Sequence, residues 1–182
     1  MEMKGSRQIT APRAVVWAAL NDAEVLRTAI PGCQSLSGSP GEGFTAVVKQ
    51  KVGPVSATFE GQVRLTDIVA MESYTIVGEG KGGAAGFAKG QAAVTLADGE
   101  GGGTILTYDV KAHVGGKIAQ LGSRLIDGFA KKTADSFFDN FQAAVEPSAE
   151  APANGADGEA QTEGGEKKAG WFRRVFGKGE GS

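Results

Sequence analysis

Residues 104–145 read TILTYDVKAHVGGKIAQLGSRLIDGFAKKTADSFFDNFQAAV, and the spacing of their apolar side chains changes once. Leu106, Tyr108, Val110, Ala112 and Val114 alternate with Ile105, Thr107, Asp109, Lys111 and His113. That is the period of a strand with one face on a core and the other in water. After Gly115-Gly116 the spacing lengthens. Ile118, Leu121, Leu125, Phe129, Phe137, Phe141 and Val145 stand three, four or multiples of these apart, with Ala130 and Ala134 between, which predicts a long amphipathic helix. Lys117, Arg124, Lys131, Lys132, Asp135 and Asp139 fill its other face and read as solvated charges, and Pro147 ends it.

Upstream, Val55, Ala57, Phe59, Val63 and Leu65 repeat the strand period. Gly and Pro punctuation separates strand-like segments at roughly 33–38, 43–52, 55–67, 69–78, 85–97 and 104–114. Before them come a short strand from Met3 to Ile9 and a helix opened by Pro12, with Val15, Val16, Ala19 and Leu20 on one face. Asn21-Asp22 caps a second short helix through Thr28, and Ile30-Pro31-Gly32 closes it. The order β-α-α-β6-α predicts an α+β fold: a curved antiparallel sheet of about seven strands around a long C-terminal helix. A curved sheet and one helix enclose space poorly unless large side chains fill it. Ala84, Ala85, Gly86, Ala88, Gly90, Ala92 and Ala93 are small, so an apolar cavity is expected. Strand parity and helix spacing put Phe59, Tyr74, Ile76, Tyr108, Val110, Ile118, Leu121, Leu125 and Phe129 on its wall. The small residues Gly115, Gly116, Ala119 and Gly122 leave room for an entrance.

The chain has 182 residues, with 19 Lys and Arg against 21 Asp and Glu. So even a balance excludes a protein built to blanket nucleic acid. One cysteine, Cys33, excludes an internal disulfide, and one histidine, His113, excludes any site that needs two. The first residues lack a basic-then-apolar signal pattern, and no apolar run approaches the ~18 residues of a membrane span.

Residues 1–145 hold 14 basic and 14 acidic side chains and read as one domain. From 146 to 166 there is no Val, Ile, Leu, Phe, Trp or Tyr, and the six charges are all acidic, the composition of a disordered linker. Residues 167–182 reverse the sign, with five basic side chains against one acidic. On a helix, Trp171, Phe172, Val175 and Phe176 form one apolar arc, Arg173 and Arg174 lie opposite, and Lys178 flanks the arc's edge. That is the pattern of a short interfacial helix, a membrane-binding tip that folds on contact with anionic headgroups; the alternatives are a peptide that docks in a protein groove and a solvated tail.

Gly78-Glu79-Gly80-Lys81-Gly82-Gly83 matches the spacing of a dinucleotide loop, but strand-like spacing follows it where a helix N-terminus is needed. Cys33 and His113 fall on different strands with no third group to orient them, and parity turns His113 toward solvent. Tyr74 and Tyr108 have inward parity, and a buried tyrosine hydroxyl needs a partner, either backbone or the carbonyl of a ligand.

The chain resembles the G-subunit family of carbon monoxide dehydrogenase, within the helix-grip, START-like (SRPBCC) superfamily. The resemblance rests on ordered matches across about 1–145. They include Met3-Lys4-Gly5-Ser6, Ala11-Pro12-Arg13, Ile30-Pro31-Gly32-Cys33, Val52-Gly53-Pro54-Val55, Phe59-Glu60-Gly61, Ala85-Gly86-Phe87-Ala88-Lys89-Gly90 and Gly115-Gly116-Lys117-Ile118. It implies a helper of a molybdenum hydroxylase, notably aerobic carbon monoxide dehydrogenase, and not an enzyme. Such a helper tethers its partner to the cytoplasmic membrane, and the expected location is cytoplasmic, peripheral on that membrane's inner face. Joined to the cavity, the resemblance leads to a carried lipophile, a quinone such as menaquinone or ubiquinone, with no covalently bound cofactor and no metal. The alternatives are a membrane-tethering scaffold with a filled core, or a START-like cyclase or hydrolase acting on a hydrophobic substrate.

Overall fold

A computed structural model describes residues 1–146. The acidic linker beyond Glu146 and the basic tip, including Trp171, Phe172, Arg173, Arg174, Val175, Phe176 and Lys178, lie outside the described residues. Strand β1 (Glu2–Ile9) is followed by helices α1 (Arg13–Leu20) and α2 (Ala23–Ala29). Then come β2 (Cys33–Ser39), β3 (Gly43–Val52), β4 (Val55–Val69), β5 (Ser73–Lys81), β6 (Phe87–Asp98), β7 (Thr104–Gly115) and the long helix α3 (Ser123–Val145). The strands form one antiparallel sheet in the order β1-β7-β6-β5-β4-β3-β2, and α3 lies against its inner face. The Asp22 carboxylate starts α2 by accepting from the Glu24 and Val25 amides.

Three boundaries differ from the spacing-based reading, each for a local reason. The β4–β5 connection is a turn at 70–72, with Met71 at φ 69 and a register shift between Thr66 and Val69. No Gly or Pro marks it, so β5 starts four residues later than 69. Strand β6 begins at Phe87 because Gly83–Ala85 forms a 3-10 turn closed by Gly86 at φ 118. The third boundary matters most. The helical spacing after Gly116 is interrupted: Lys117–Leu121 is a 3-10 turn, and Gly122, at φ 93, stops it before α3 begins. A right-handed helix cannot pass through that conformation, so the helical phase is reset at Ser123.

The core is polarised. Ile9, Val16, Leu20, Val25, Leu96, Leu106, Phe138, Phe141 and Val145 are buried together where α1 and α2 and the C-terminal half of α3 meet the sheet. Tyr108 stacks on Phe138, with centroids 5.3 Å apart, and Trp17 meets Tyr74 edge-on at 5.5 Å. Arg7 clamps α3 to β1. Its guanidinium donates to Gln142 Oε1 at 2.8 Å, Asp139 Oδ1 at 3.1 Å and the Asp135 carbonyl at 3.3 Å, and lies 5.5 Å from the Phe138 ring. Asp135 and Asp139 are therefore more than the solvated charges their pattern suggested: both pair with Arg7.

Candidate functional site

The sheet register explains why the other half of the inner face is hollow. Pairing aligns Ala46, Gly61, Gly80, Ala88 and Val114 in a row across β3 to β7. The next row holds Val63, Gly78, Gly90 and Ala112, and the one after it Leu65, Ile76, Ala92 and Val110. Side chains enlarge again at Tyr74, Val94 and Tyr108. Facing the small rows, α3 presents Ile126, Phe129, Ala130, Thr133 and Ala134, where its far half presents three phenylalanines. Neither surface reaches the other.

The result is a cavity of about 670 Å³, within the ~300–1,000 Å³ range of ligand sites. Phe59, Tyr74, Ile76, Tyr108, Val110, Ile118 and Phe129 line it. Leu121 and Leu125 do not stand on that wall. Leu125 is 41% exposed, and both leucines lie over Gly53 in the β3–β4 turn. The reset of helical phase at Gly122 accounts for this, since the spacing that carried them inward does not run through the break. Ala84 and Ala93, read as inner residues, are exposed. The expected entrance also differs. Gly115 and Gly116 pack backbone to backbone against Gly86, which closes that seam, while Ala119 is half-buried and Gly122 exposed outside the lining.

Polar groups on the wall are few: Gln50, Tyr74, Tyr108 and Thr133. Gln50 Nε2 donates to the Pro31 carbonyl at 2.6 Å and is held there. Tyr74 is only 4% exposed, and burial pushes its phenol above the usual range, so it stays a neutral donor. Among the described residues nothing hydrogen-bonds its hydroxyl. The lining holds no Asp, Glu, Lys, Arg, His or Cys. Such a cavity can shelter an apolar molecule and offer a hydroxyl to its polar end; its lining side chains include no carboxylate, amine, imidazole or thiol.

The other candidates separate. Cys33 on β2 and His113 on β7 stand at opposite sides of the sheet, with β3 to β6 between their strands. The Cys33 thiol bonds the Ser35 carbonyl, and burial raises it away from the thiolate. His113 is exposed on the outer face beside Phe87. It borders a depression of about 780 Å³ among Gln62, Arg64, Glu79, Lys89 and Lys111, an open space between solvated side chains over the paired Gly78 and Gly90. The glycine-rich run of β5 ends in a 3-10 turn and not in a helix; its Gly80 belongs to the cavity wall. Among the described residues no group of three His, Cys, Asp or Glu is placed to hold a metal, and no helix is long and apolar enough to cross a membrane.

What the sequence reading missed is the rest of the wall: Ala46, Gly61, Gly80, Gln50 and the α3 residues Ile126, Ala130 and Thr133. The glycines carried a signal, because Gly at an inward strand position marks space or a close approach.

An antiparallel sheet wrapped on a C-terminal helix around an apolar hollow defines a START-like, helix-grip protein. The chain belongs to the carbon monoxide dehydrogenase G-subunit (CoxG) family, whose model matches residues 5–146, a family of accessory subunits. Among solved structures it is similar to a conserved protein from Geobacillus kaustophilus, at 29% identity and a TM-score of 0.75 over 80% of this chain and 95% of that one. It shares its fold with a START superfamily protein from Mycobacterium smegmatis, at 12% identity and a TM-score of 0.59 over 80% and 97% of the two chains. A protein from Chromobacterium violaceum is alike at 16% identity and a TM-score of 0.59, over 80% and 98%. No curated protein matches the chain in sequence.

Proposed function

We propose that this chain is an accessory protein of a molybdenum hydroxylase, carbon monoxide dehydrogenase, that brings its partner to the cytoplasmic membrane and carries a quinone in its cavity. The observation that carries the reading is the hollow itself: an apolar space with the deeply buried hydroxyl of Tyr74 free to donate at its packed end. At about 25–30 Å³ per heavy atom, the cavity of about 670 Å³ has room for roughly 22–27 such atoms. That suits a quinone ring and the first isoprenoid units of its tail, with a ring carbonyl accepting from Tyr74. The remaining tail stays outside. Electrons from carbon monoxide must reach a quinone pool confined to the bilayer, so a ring drawn out of the bilayer into this domain brings acceptor and enzyme together. The basic tip at 167–182 supplies the membrane contact in this reading.

Two measurements test it. Native mass spectrometry of protein purified from its own membranes, with solvent extraction, is expected to find one prenylated quinone per chain and saturable binding of short-tailed quinone analogues. No extractable lipophile and no saturable binding removes the carrier role. Full-length protein is expected to sediment with vesicles of phosphatidylglycerol and phosphatidylcholine, and a chain ending at 166 is expected to stay in solution. Equal sedimentation of the two removes the tip.

A further inference from the structure

The neutral domain is electrically two-ended. Each strand turn, taken with three residues on either side, belongs to one end of the sheet. At one end lie the turns β2–β3, β4–β5 and β6–β7, carrying Glu42, Asp67, Glu72, Asp98 and Glu100 and no Lys or Arg. At the other lie β3–β4, β5–β6 and the connection from β7 to α3, carrying Lys51, Lys81, Lys89, Lys117 and Arg124 against Glu79 alone. The next acids are Glu60, the cross-strand partner of Lys81, and Asp127, in the second turn of α3. All five cations are exposed, and none makes an ion pair among the described residues.

Apolar groups stand exposed among these cations. Leu125 lies over Gly53 at the β3–β4 tip, beside exposed Pro54, and Ala84 is exposed on the 3-10 turn next to Lys81. The acidic end exposes apolar groups too, Ile68 and Val69, so the sign of the charge is what separates the ends. The hollow half of the cavity also reaches the basic end. Its lining there includes Val52, Ala88, Val114, Ile118 and Ile126, each one to four residues from the basic turns.

We propose that the basic end of the folded domain is itself a membrane-docking face. Lys51, Lys81, Lys117 and Arg124 sit on anionic headgroups, Pro54, Ala84 and Leu125 press into the interface, and the hollow half of the cavity faces the bilayer. Unpaired cations around exposed apolar tips fit an anionic bilayer surface, and the acids at the far end turn that end away from it. The proposal rests on the membrane role given under the proposed function, and it adds to the tip a second contact, made by the folded domain. It also orients the cavity, so that a lipophile passes between bilayer and protein without crossing water.

The test places an environment-sensitive fluorophore on full-length protein, in a Cys33→Ser background, at Ala84→Cys on the basic end or Ala70→Cys on the acidic end. Vesicles contain equal phosphatidylglycerol and phosphatidylcholine, with a spin-labelled lipid as quencher. The expected result is quenching and a blue shift at position 84, neither at position 70, and neither with phosphatidylcholine alone. Lys117→Glu with Arg124→Glu is expected to remove the signal at 84, since two reversed charges weaken such a contact by an order of magnitude or more, while sedimentation through the tip persists. A position-84 label that stays in water on vesicle-bound protein overturns the docking face and leaves the tip standing. Equal quenching at 70 and 84 overturns the orientation. Quenching at 84 that survives removal of 167–182 supports the docking face and shows that the tip is dispensable.

Discussion

Filling the hollow should make the protein more stable and less able to bind. Gly61 and Gly80 are direct partners across β4 and β5 and both line the cavity. Neither has a positive φ, and a Cβ built on Gly80 would meet nothing nearer than the Glu60 carbonyl oxygen at 3.9 Å. One on Gly61 would have the Glu79 oxygen at 3.6 Å and the Ala46 oxygen at 4.0 Å. Both positions therefore accept a side chain pointing into the space. The double variant Gly61→Leu with Gly80→Leu adds eight carbons, or ~200 Å³ at about 25–30 Å³ each, against a cavity of about 670 Å³. Burying each leucine contributes up to ~3 kcal/mol gross at ~0.8 kcal/mol per carbon. Replacing a strand glycine adds ~0.5–1 kcal/mol, ordering the side chain removes about as much, and imperfect fit halves the rest. The pair should gain ~2–4 kcal/mol.

Guanidinium denaturation of the full chain measures this as a rise in midpoint at unchanged slope. Titration with a short-tailed quinone analogue on the same sample should show affinity reduced at least tenfold. Were the space already occupied by side chains, the same leucines would overpack it and destabilise the fold by ~1–3 kcal/mol each. A lowered midpoint with a normal slope would refute the cavity argument, whatever happened to binding.

Tyr74→Phe should leave stability unchanged or slightly raised, because the hydroxyl has no protein partner to lose, and should weaken a carbonyl-bearing ligand about three- to tenfold; equal affinity for both forms would deny the hydroxyl its role. Arg7→Ala removes the clamp between β1 and α3 and should cost ~1–2 kcal/mol, read by the same denaturation. The Asp135 carboxyl is held below its ordinary range, chiefly by its hydrogen bond with Lys131 and also by the charges of Lys131 and Arg7. Its contribution is complete above the unfolded value of ~3.9 and is lost as pH falls through the lower folded value, so Asp135→Asn should flatten the stability profile below about pH 4 and leave it unchanged in shape near neutrality. Gly5→Ala would drive a Cβ into the Tyr108 ring and should cost ~1–3 kcal/mol, with the near-ultraviolet signal of the Tyr108–Phe138 stack lost. Amides in the first three turns of α3, over the hollow, should exchange hydrogen faster than those from Asp135 to Val145; uniform protection along the helix would mean that both halves are equally packed.

Fold class and element order were legible because several strands carry a clear alternation, and because the last change from period two to a helical period falls at Gly115-Gly116. The cavity's aromatic and aliphatic wall was legible wherever parity within a strand decided it, as at Phe59, Tyr74, Ile76, Tyr108 and Val110. Three things were not. Register between strands is set by turn geometry, so the row Ala46–Gly61–Gly80–Ala88 exists only once the pairings are known. Helical phase is not conserved through a residue at positive φ, and Gly122 displaced Leu121 and Leu125 from the wall to the rim. The charge separation was invisible in a domain whose basic and acidic residues are equal in number. It appears only when alternate turns are assigned to opposite ends of the sheet, which antiparallel topology does.

The two halves of α3 carry opposite demands, and the sequence resolves them by position. A hollow of about 670 Å³ forgoes burial that would otherwise hold the helix down. The loss is offset at the other end, where Phe138, Phe141 and Val145 are buried and Arg7 bonds three residues of the helix. A helix fixed at its C-terminal half and lightly held at its N-terminal half moves most where it is least packed. That place is the cluster of Ile118, Leu121, Leu125 and Ile126, beside the basic turns. Under the carrier role proposed above, a lipophile leaving a bilayer would need a wall that yields there, because an opening at the packed end would expose the core and the acidic turns.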